Sequence, residues 1–226
     1  MENRNHVIAS LQPEAQEFFI RRAYTRQIFA GEKIYEEQAD ITHAVFPHAG
    51  LLSQMAMMAD GRTVEKLSIG PNGFLGFAHI MGGDRAISTS VVRIAGYASW
   101  VSIDDLDEAL TRFDGVRDVI LRYARSLIAQ LMETVACNSL HTAEQRIMRW
   151  LLIAHDSVQG DAIDVTQQAV AESLGLRRAT VSQFCTRFQE MNVLDTSRGR
   201  LTILDRQGME ERVCECYHRI RSRAFR

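Results

Sequence analysis

One segment constrains this chain more than any other, because residues 167–186 follow the spacing of a helix-turn-helix. Ala171, at the fifth of the twenty positions, is small where two helices nearly touch. Gly175, at the ninth, allows the positive φ that ends the first helix, and Val181, at the fifteenth, packs back against that helix. The other apolar positions are filled by Val170, Leu174, Leu176 and Phe184. The pattern predicts a helix-turn-helix, and the alternative is an ordinary amphipathic helical hairpin.

The second helix of this motif, predicted over residues 178–191, has two chemically different faces. Val181, Phe184 and Phe188 fall on one side when residues are placed at about 100° intervals. The opposite side carries short or uncharged side chains between two arginines, namely Arg178, Ala179, Ser182, Gln183, Thr186 and Arg187. A solvated face more often alternates Glu and Lys, whereas Arg, Gln, Ser and Thr hydrogen-bond base edges. This face predicts a helix that reads bases in the major groove of DNA.

The composition fits two domains and does not indicate a basic nucleic-acid coat. The chain has 226 residues, 46% apolar residues and a formal net charge of -2. Residues 1–137 hold 13 basic and 17 acidic side chains, whereas residues 138–226 hold 13 and 11, and every basic residue of the second part is Arg. Arginine suits phosphate and guanine through its planar guanidinium. We predict a domain over 1–113, a long helix over 114–138 and a DNA-binding domain over 139–226.

No part of the sequence predicts secretion or a membrane span. The N-terminal residues lack an apolar segment behind a basic flank. Residues 41–59 contain no Asp, Glu, Lys or Arg, but two histidines and several breaking or polar residues interrupt them, including Pro47, Gly50, Ser53 and Gln54. The four cysteines do not suggest a disulfide framework. A reduced, cytoplasmic protein without a membrane partner is the simplest interpretation.

The first part of the chain alternates with a period of two, which predicts strands. A helix predicted over 10–23 is followed by apolar runs at 27–29, 33–35, 44–46, 51–58, 87–94 and 98–103. The clearest hairpin has Asp60 and Gly61 as its two-residue turn. Seven or eight short strands in about 90 residues indicate an antiparallel β-roll of the jelly-roll or double-stranded β-helix type. The predicted fold class is α+β.

The predicted long helix has two apolar stripes. The first consists of Val116, Ile120, Tyr123, Leu127, Leu131 and Thr134, and the second of Val119, Ile128, Met132 and Val135. One stripe can pack on the roll and the other on the same helix of a second chain. We assign the first stripe to dimerisation, and the alternative is one core helix with a broad apolar face.

After a helix predicted over 140–158 and the helix-turn-helix, the chain predicts a wing. Apolar residues at 193–194 and 201–204 flank a polar tip that contains Arg198 and Arg200. Arginines at such a tip contact phosphate, which positions a protein on DNA without specifying sequence. A single final helix is predicted from residue 206 to about residue 224.

This order of parts resembles the Crp/Fnr family of bacterial transcription regulators. The resemblance is strongest in TQQAVAESLGLRRATVS and RGRLTILD, is weaker in FAGEKIYEEQAD, FPHAG and the DGR hairpin, and covers nearly the whole chain. It implies a β-roll, a long dimerisation helix and a winged helix-turn-helix. It also implies a homodimer that binds two-fold symmetric double-stranded DNA and contacts RNA polymerase.

The chain departs from the family where an effector would bind. Family members that bind cyclic nucleotides have Gly-Glu-x-Gly and then Arg-x-Ala, in which Glu holds the ribose and Arg the phosphate. Here Phe74 replaces that Glu, followed by Leu75, while Arg85 remains. Phe74, Leu75 and Arg85 are the candidate effector pocket, but the pattern argues against a cyclic nucleotide. The bulky residues Phe74, Leu75, Phe77 and Ile80 can instead fill the roll themselves.

The reading helix departs from the family as well. Where the family commonly shows Arg-Glu-Thr-Val-x-Arg, this chain has Ala179 in place of the Glu and Gln183 in place of the second Arg. The change to Ala removes an acceptor suited to cytosine, and the change to Gln replaces a guanine reader with an adenine reader. We therefore predict an operator that differs from the family's usual one.

The cysteines and histidines predict no cofactor. No cysteine precedes Cys137, which argues against an iron-sulfur cluster in the roll. Cys214 and Cys216, two residues apart on the predicted final helix, point about 200° from each other and make a poor metal pair. The histidines show no ligand spacing, so we expect no metal. Cys185 is a redox candidate if it is partly exposed between Arg178 and Arg187, and otherwise a small half-buried residue.

The leading hypothesis is a sequence-specific DNA-binding regulator that acts as a homodimer. Its candidate DNA contacts are Thr166, Gln167, Arg177, Arg178, Ala179, Thr180, Ser182, Gln183, Thr186, Arg187, Arg198 and Arg200. The alternative is a small-molecule sensor whose helix-turn-helix is mainly a protein-interaction surface, and salt-dependent binding to a palindromic duplex separates the two. No phosphate loop, metal spacing or activated nucleophile predicts an enzyme.

Overall fold

The computed structural model describes residues 5–225 and has the predicted α+β fold, with an antiparallel sheet, a long helix and a helix-turn-helix in that order. The predicted first and last domains extend to residues 1–4 and residue 226, which lie outside the described residues. Across residues 5–225, no helix is long and apolar enough to cross a membrane.

The first domain is an antiparallel roll that follows two short helices. Its elements are α1 (His6–Ala9), α2 (Pro13–Arg22), β1 (Tyr24–Ile28), β2 (Lys33–Tyr35), β3 (His43–Met57), β4 (Thr63–Ile69), α3 (Phe77–Ile80) and β5 (Thr89–Ser102). The strand order is β1-β5-β3-β4, and β2 also pairs with β5. All pairs are antiparallel, so each strand can bury one face in the interior of the roll.

The roll has fewer and longer strands than the sequence predicts. β3 joins the runs predicted at 44–46 and 51–58, and β5 joins those at 87–94 and 98–103. Both strands bend through irregular pairing instead of ending. Gly50 has a φ of 90°, and a Cβ on Gly96 would lie 2.0 Å from the carbonyl oxygen of Ala49. These two glycines therefore permit a close approach of two continuous strands where their pairing is irregular.

Two helices lead from the roll to the second domain. α4 (Ile103–Arg112) is capped by Ser102, whose Oγ accepts a hydrogen bond from the Asp105 amide at 3.1 Å. α5 (Asp114–Leu140) then extends for 27 residues. Its first half is buried against α1, α2, α4 and the roll through Val116, Ile120 and Tyr123.

The second domain contains the helix-turn-helix and the predicted wing. Its elements are α6 (Ala143–His155), β6 (Ala162–Ile163), α7 (Gln167–Leu174), α8 (Arg178–Glu190), β7 (Leu194–Ser197), β8 (Arg200–Ile203), α9 (Arg206–Arg212) and α10 (Glu215–Arg223). The prediction of a single final helix is wrong, because Val213 and Cys214 have extended backbone and separate α9 from α10.

The two domains share a hydrophobic core at the bend of the long strands. Leu51 of β3 and Ile94 of β5 belong to the same buried cluster as the helices of the second domain. The amide of Gly50 donates to the carbonyl oxygen of Ser157 at 3.0 Å. Arg93 of β5 also pairs with Glu172 of α7 at 3.0 Å. The helix-turn-helix is thus held against the roll by both apolar and charged contacts.

Candidate nucleic-acid interface

The helix-turn-helix is built as its residue spacing predicts. Thr166 caps α7, and its Oγ1 accepts a hydrogen bond from the Ala169 amide at 3.1 Å. Gly175 ends α7 with a φ of 62° in the left-handed region, so the chain can turn into α8. Val181 and Phe188 of α8 are fully buried against α6 and α7. These contacts fix α8 in one orientation on the domain.

The face of α8 opposite this core is open to solvent. Its exposed members are Arg178, Ala179, Ser182, Gln183, Thr186 and Arg187, and Thr180 is partly exposed. Thr186 donates a side-chain hydrogen bond to the Ser182 carbonyl at 3.2 Å, while Ser182 and Gln183 are free to meet a ligand. The structure therefore brings the predicted base-reading side chains together on one accessible surface.

The remaining candidate DNA contacts surround this surface. Thr166 and Arg177 are exposed at the starts of α7 and α8, and Gln167 is partly exposed. Arg198 is exposed on the turn between β7 and β8, and Arg200 is exposed at the start of β8. The turn is tight because Gly199, with a φ of 75°, sits between them.

The arginines of this surface differ in how far they are already neutralised. Arg187 pairs with Glu144 at 2.9 Å, and Arg200 pairs with Asp164 at 2.6 Å. Sequence reasoning missed both acidic partners, because each lies at least 36 positions from its arginine. Among residues 5–225, no ion pair involves Arg177, Arg178 or Arg198. The positive charges of these three arginines are therefore more available to a ligand than those of Arg187 and Arg200.

The assignment of the first α5 stripe to dimerisation needs correction. Val116, Ile120 and Tyr123 are at most 3% exposed and pack inside the chain. Leu127 and Leu131 are partly buried against the roll, and Thr134 accepts a hydrogen bond from Arg149 at 3.5 Å. The exposed apolar residues of α5 are instead Leu121, Ile128, Met132, Val135 and Leu140. The stripe chosen for a partner thus faces the roll, and most of the second stripe is free.

The candidate effector pocket is not assembled as a cavity. Phe74 and Leu75 are buried in the core, where Phe74 stacks on Phe46 with ring centroids 5.0 Å apart. Tyr123 donates its hydroxyl to the Phe74 carbonyl at 3.0 Å. Arg85 is exposed and lies 3.9 Å from Asp40. Two of the three candidates are therefore packing residues, because aromatic side chains from the roll and α5 occupy the space around them.

The hypothesis that Cys185 is redox-active required this residue to be partly exposed, and the structure contradicts that requirement. Cys185 is only 1% exposed in the core between α8 and its neighbours. Burial raises the pKa of this thiol to about 11, so the reactive thiolate is disfavoured at neutral pH.

The prediction that the side chains of Cys214 and Cys216 point away from each other is also wrong. It assumed that both residues lie within one helix, but Cys214 is the N-cap of α10 and has extended backbone with a ψ of 154°. The two side chains therefore do not diverge by the helical angle. With Cys137 and His141 they form a compact cluster that the sequence did not predict.

Comparison with known proteins agrees with this geometry. A family model described as a Crp-like helix-turn-helix domain matches residues 145–212, which span α6 to α9. No curated protein sequence matches the chain.

Solved structures with the same fold are distant in sequence. FixK2 from Bradyrhizobium japonicum is 16% identical with a TM-score of 0.72, over 85% of this chain and 98% of its own. A transcriptional regulator of the Crp/Fnr family from Eubacterium rectale is 16% identical with a TM-score of 0.68, over 93% and 98%. A CRP-family regulator from Thermus thermophilus is 18% identical with a TM-score of 0.68, over 82% and 95%. The chain thus contains a Crp-like helix-turn-helix domain and has the fold of the Crp/Fnr family of regulators.

Proposed function

We propose that this protein is a sequence-specific DNA-binding transcription regulator that acts as a homodimer, with α8 in the major groove. The observation that carries the proposal is the division of α8 into a buried apolar face and an exposed polar face. A helix held by its neighbours in this way can present side chains to base edges without losing its position.

The exposed face of α8 has the chemistry for direct base reading. Gln183 can form two hydrogen bonds with adenine, and Arg178 can do the same with guanine. Ser182 and Thr186 can donate to or accept from either base. Because these residues lie within three turns of one helix, they can reach successive base pairs along one groove.

Phosphate contacts come from the elements around α8. The N-terminus of α7 offers free amides and a partial positive charge to a phosphate. Arg198 lies at the tip of the wing, where it can reach the DNA backbone beside the groove. Arg187 and Arg200 would have to exchange Glu144 and Asp164 for phosphate, so we expect them to contribute less than Arg198.

The homodimer is proposed on the exposed part of α5. Leu121, Ile128, Met132 and Val135 form one stripe, because their spacing of seven, four and three residues keeps them on one helix face. Pairing this stripe about a two-fold axis would place two reading helices about 34 Å apart, the separation of successive major-groove faces. A palindromic operator follows from that symmetry.

We propose further that the roll takes no cyclic nucleotide at the position used by the family. The filled core around Phe74 and the exposed position of Arg85 support this. Contact with RNA polymerase and a cytoplasmic location are carried over from the family resemblance as part of the same proposal. No catalytic role is assigned to any residue.

The test is a set of binding titrations on the operator that footprinting on genomic DNA identifies. Gln183→Ala should weaken binding by about 1–3 kcal/mol, and the loss should disappear when one symmetric base pair is already changed. Arg198→Ala should weaken all sequences alike and reduce the slope of log affinity against log salt concentration by about one. Gln207→Ala, which removes an exposed glutamine on α9, is the matched control and should leave affinity unchanged.

Two results would contradict the proposal. A uniform loss over all operator variants for Gln183→Ala would show that α8 does not read a base at that position. Binding to duplex DNA that is independent of salt concentration would exclude the electrostatic contacts altogether and favour a protein-interaction role.

A further inference from the structure

Four side chains with metal-ligating atoms converge where α5 ends and α10 begins. They are Cys137, His141, Cys214 and Cys216, and their ligand atoms all lie within 4.8 Å of one another. The Sγ atoms of Cys137 and Cys214 are 3.7 Å apart, and the Sγ of Cys216 is 3.5 Å from Nδ1 of His141. Three of the four residues are buried and His141 is partly buried.

The backbone explains why the cluster forms. Cys137 lies in the last turn of α5, and His141 is the C-cap of that helix, where its amide donates to the Cys137 carbonyl at 3.1 Å and holds the two residues together. Cys214 precedes α10 in an extended conformation, and Cys216 lies in the first turn of that helix. The end of α5 and the start of α10 thus each contribute two residues to the cluster.

We propose that these residues bind one structural zinc ion in a Cys3His site. Tetrahedral zinc has Zn–S bonds of about 2.3 Å and Zn–N bonds of about 2.0–2.1 Å, which place two sulfurs about 3.8 Å apart and a sulfur and a nitrogen about 3.6 Å apart. The observed 3.7 Å and 3.5 Å agree with both separations. Four protein ligands leave no open coordination position, so the site is structural rather than catalytic.

The surroundings of the cluster also suit a metal. Oε2 of Glu215 lies 3.4 Å from Nε2 of His141, so the carboxylate can accept that N–H and leave Nδ1 as the ligand atom. Three thiolates and one Zn²⁺ carry a net negative charge. Arg149 is buried, lies within electrostatic range of Cys137 and has no carboxylate partner among residues 5–225. Its positive charge would be balanced by the loaded site.

Simple packing, a disulfide and an iron-sulfur cluster each fit only part of the geometry. Cysteines are often buried as small apolar residues, and one thiol can hydrogen-bond to His141, but packing gives no reason for three thiols to converge on that histidine. A disulfide between Cys137 and Cys214 requires sulfurs about 2.05 Å apart and leaves Cys216 and His141 without a role. An iron-sulfur cluster distributes its ligands over several metal atoms, whereas these four atoms fit around one ion.

The site would join α10 to the end of α5, immediately before α6 begins at Ala143. Ion pairs of Glu133 on α5 with Arg219 and Arg223 on α10 already bring the two helices together. A bound ion would fix the same contact at the junction between the long helix and the DNA-binding domain. This inference is independent of what the protein binds through α8.

The first experiment measures the metal content of the protein purified under reducing conditions. We expect one zinc per chain by elemental analysis in the wild type and a loss of most of it in Cys216→Ser and in His141→Gln. Cys185→Ser is the matched control, because it removes an equally buried cysteine outside the cluster and should retain the zinc. Removing the zinc and adding Co²⁺ should produce the charge-transfer and d–d absorption of a tetrahedral thiolate site.

A second variant tests the site without removing a ligand, in case the cysteine variants fail to fold. Glu215→Gln leaves all four ligands but removes the carboxylate charge 3.4 Å from Nε2 of His141, and it should lower zinc affinity by about 10–100-fold. The measurement is competition with a chelator of known affinity.

The inference is overturned by any of four results. The wild type could lack metal and its reduced form fail to bind Co²⁺. Cys216→Ser could hold as much zinc as the wild type. The metal found could be iron with the absorption of a cluster. The freshly purified protein could contain a Cys137–Cys214 disulfide by mass spectrometry, which would indicate a redox pair instead.

Discussion

Both halves of α5 carry apolar side chains, but most of those in the first half are buried, whereas several in the second half are exposed. The first half is covered on several sides by α1, α2, α4 and the roll, and Val116, Ile120 and Tyr123 are buried there. In the second half, Ile128, Met132 and Val135 are each more than half exposed, although they are as apolar as the residues of the first half. The comparison shows that apolar stripes on one helix can serve two purposes. One attaches the helix to its own domain, and the other is available to a second chain.

The largest effect is expected in the buried half, for Tyr123→Ala. The ring of Tyr123 contacts Phe74 with centroids 4.9 Å apart, and its hydroxyl donates to the Phe74 carbonyl. Removing the ring should lower the free energy of unfolding by about 3–5 kcal/mol, measured by chemical denaturation. Tyr123→Phe, which keeps the ring, is the control and should cost about 1 kcal/mol. Equal losses for the two variants would mean that the buried half depends on the hydrogen bond rather than on packing.

A smaller effect, of a different kind, is expected in the exposed half. Met132→Glu puts a charge in the centre of the exposed stripe and should raise the dimer dissociation constant at least roughly 30-fold, measured by analytical ultracentrifugation. The isolated monomer should keep its stability within about 0.5 kcal/mol. Leu140→Ser is the control, because Leu140 is exposed but lies about 100° from the stripe. Unchanged dimerisation in Met132→Glu would remove this stripe as the interface.

The smallest effect is expected for Glu133→Gln, which changes a buried acid in the second half of α5. Glu133 pairs with Arg223 at 2.7 Å and with Arg219 at 3.7 Å, but both arginines are about half exposed. Water therefore screens the pairs, and losing the charge should cost about 1 kcal/mol. The loss should appear as faster amide hydrogen exchange in α10 with unchanged exchange in the first half of α5. Faster exchange in both regions would show that the halves are not independent.

The helix-turn-helix could be predicted from sequence because its determinants are local. Gly175, Ala171 and Val181 have fixed spacing, and each position has a steric reason that does not depend on the rest of the chain. The exposed face of α8 followed from the same spacing. The α+β fold and the hairpin around Asp60 and Gly61 were predicted on equally local evidence. The predicted two-residue turn is wrong, however, because the Met58 amide donates to the Arg62 carbonyl at 2.8 Å and leaves the three residues 59–61 in the loop.

The features that the sequence did not predict depend on contacts between residues that are far apart in the chain. Both stripes of α5 are apolar, so only the position of the roll shows which one is covered. The role of Gly50 and Gly96 becomes clear only where the backbones of β3 and β5 approach each other closely. The cysteine cluster joins positions up to 79 apart through an N-cap whose backbone conformation the helical period could not reveal.

The core shared by the roll and the second domain limits how α8 can move relative to the roll. Turning the second domain away from the roll would transfer Leu51 and Ile94 from the interior to water, at a cost of about 1.5–3 kcal/mol for each side chain. A ligand of the roll could favour the rotated form only by binding that form more tightly than the packed form. The burial of these two side chains at the bend of the long strands thus sets a lower bound on the difference in affinity that such a ligand would need.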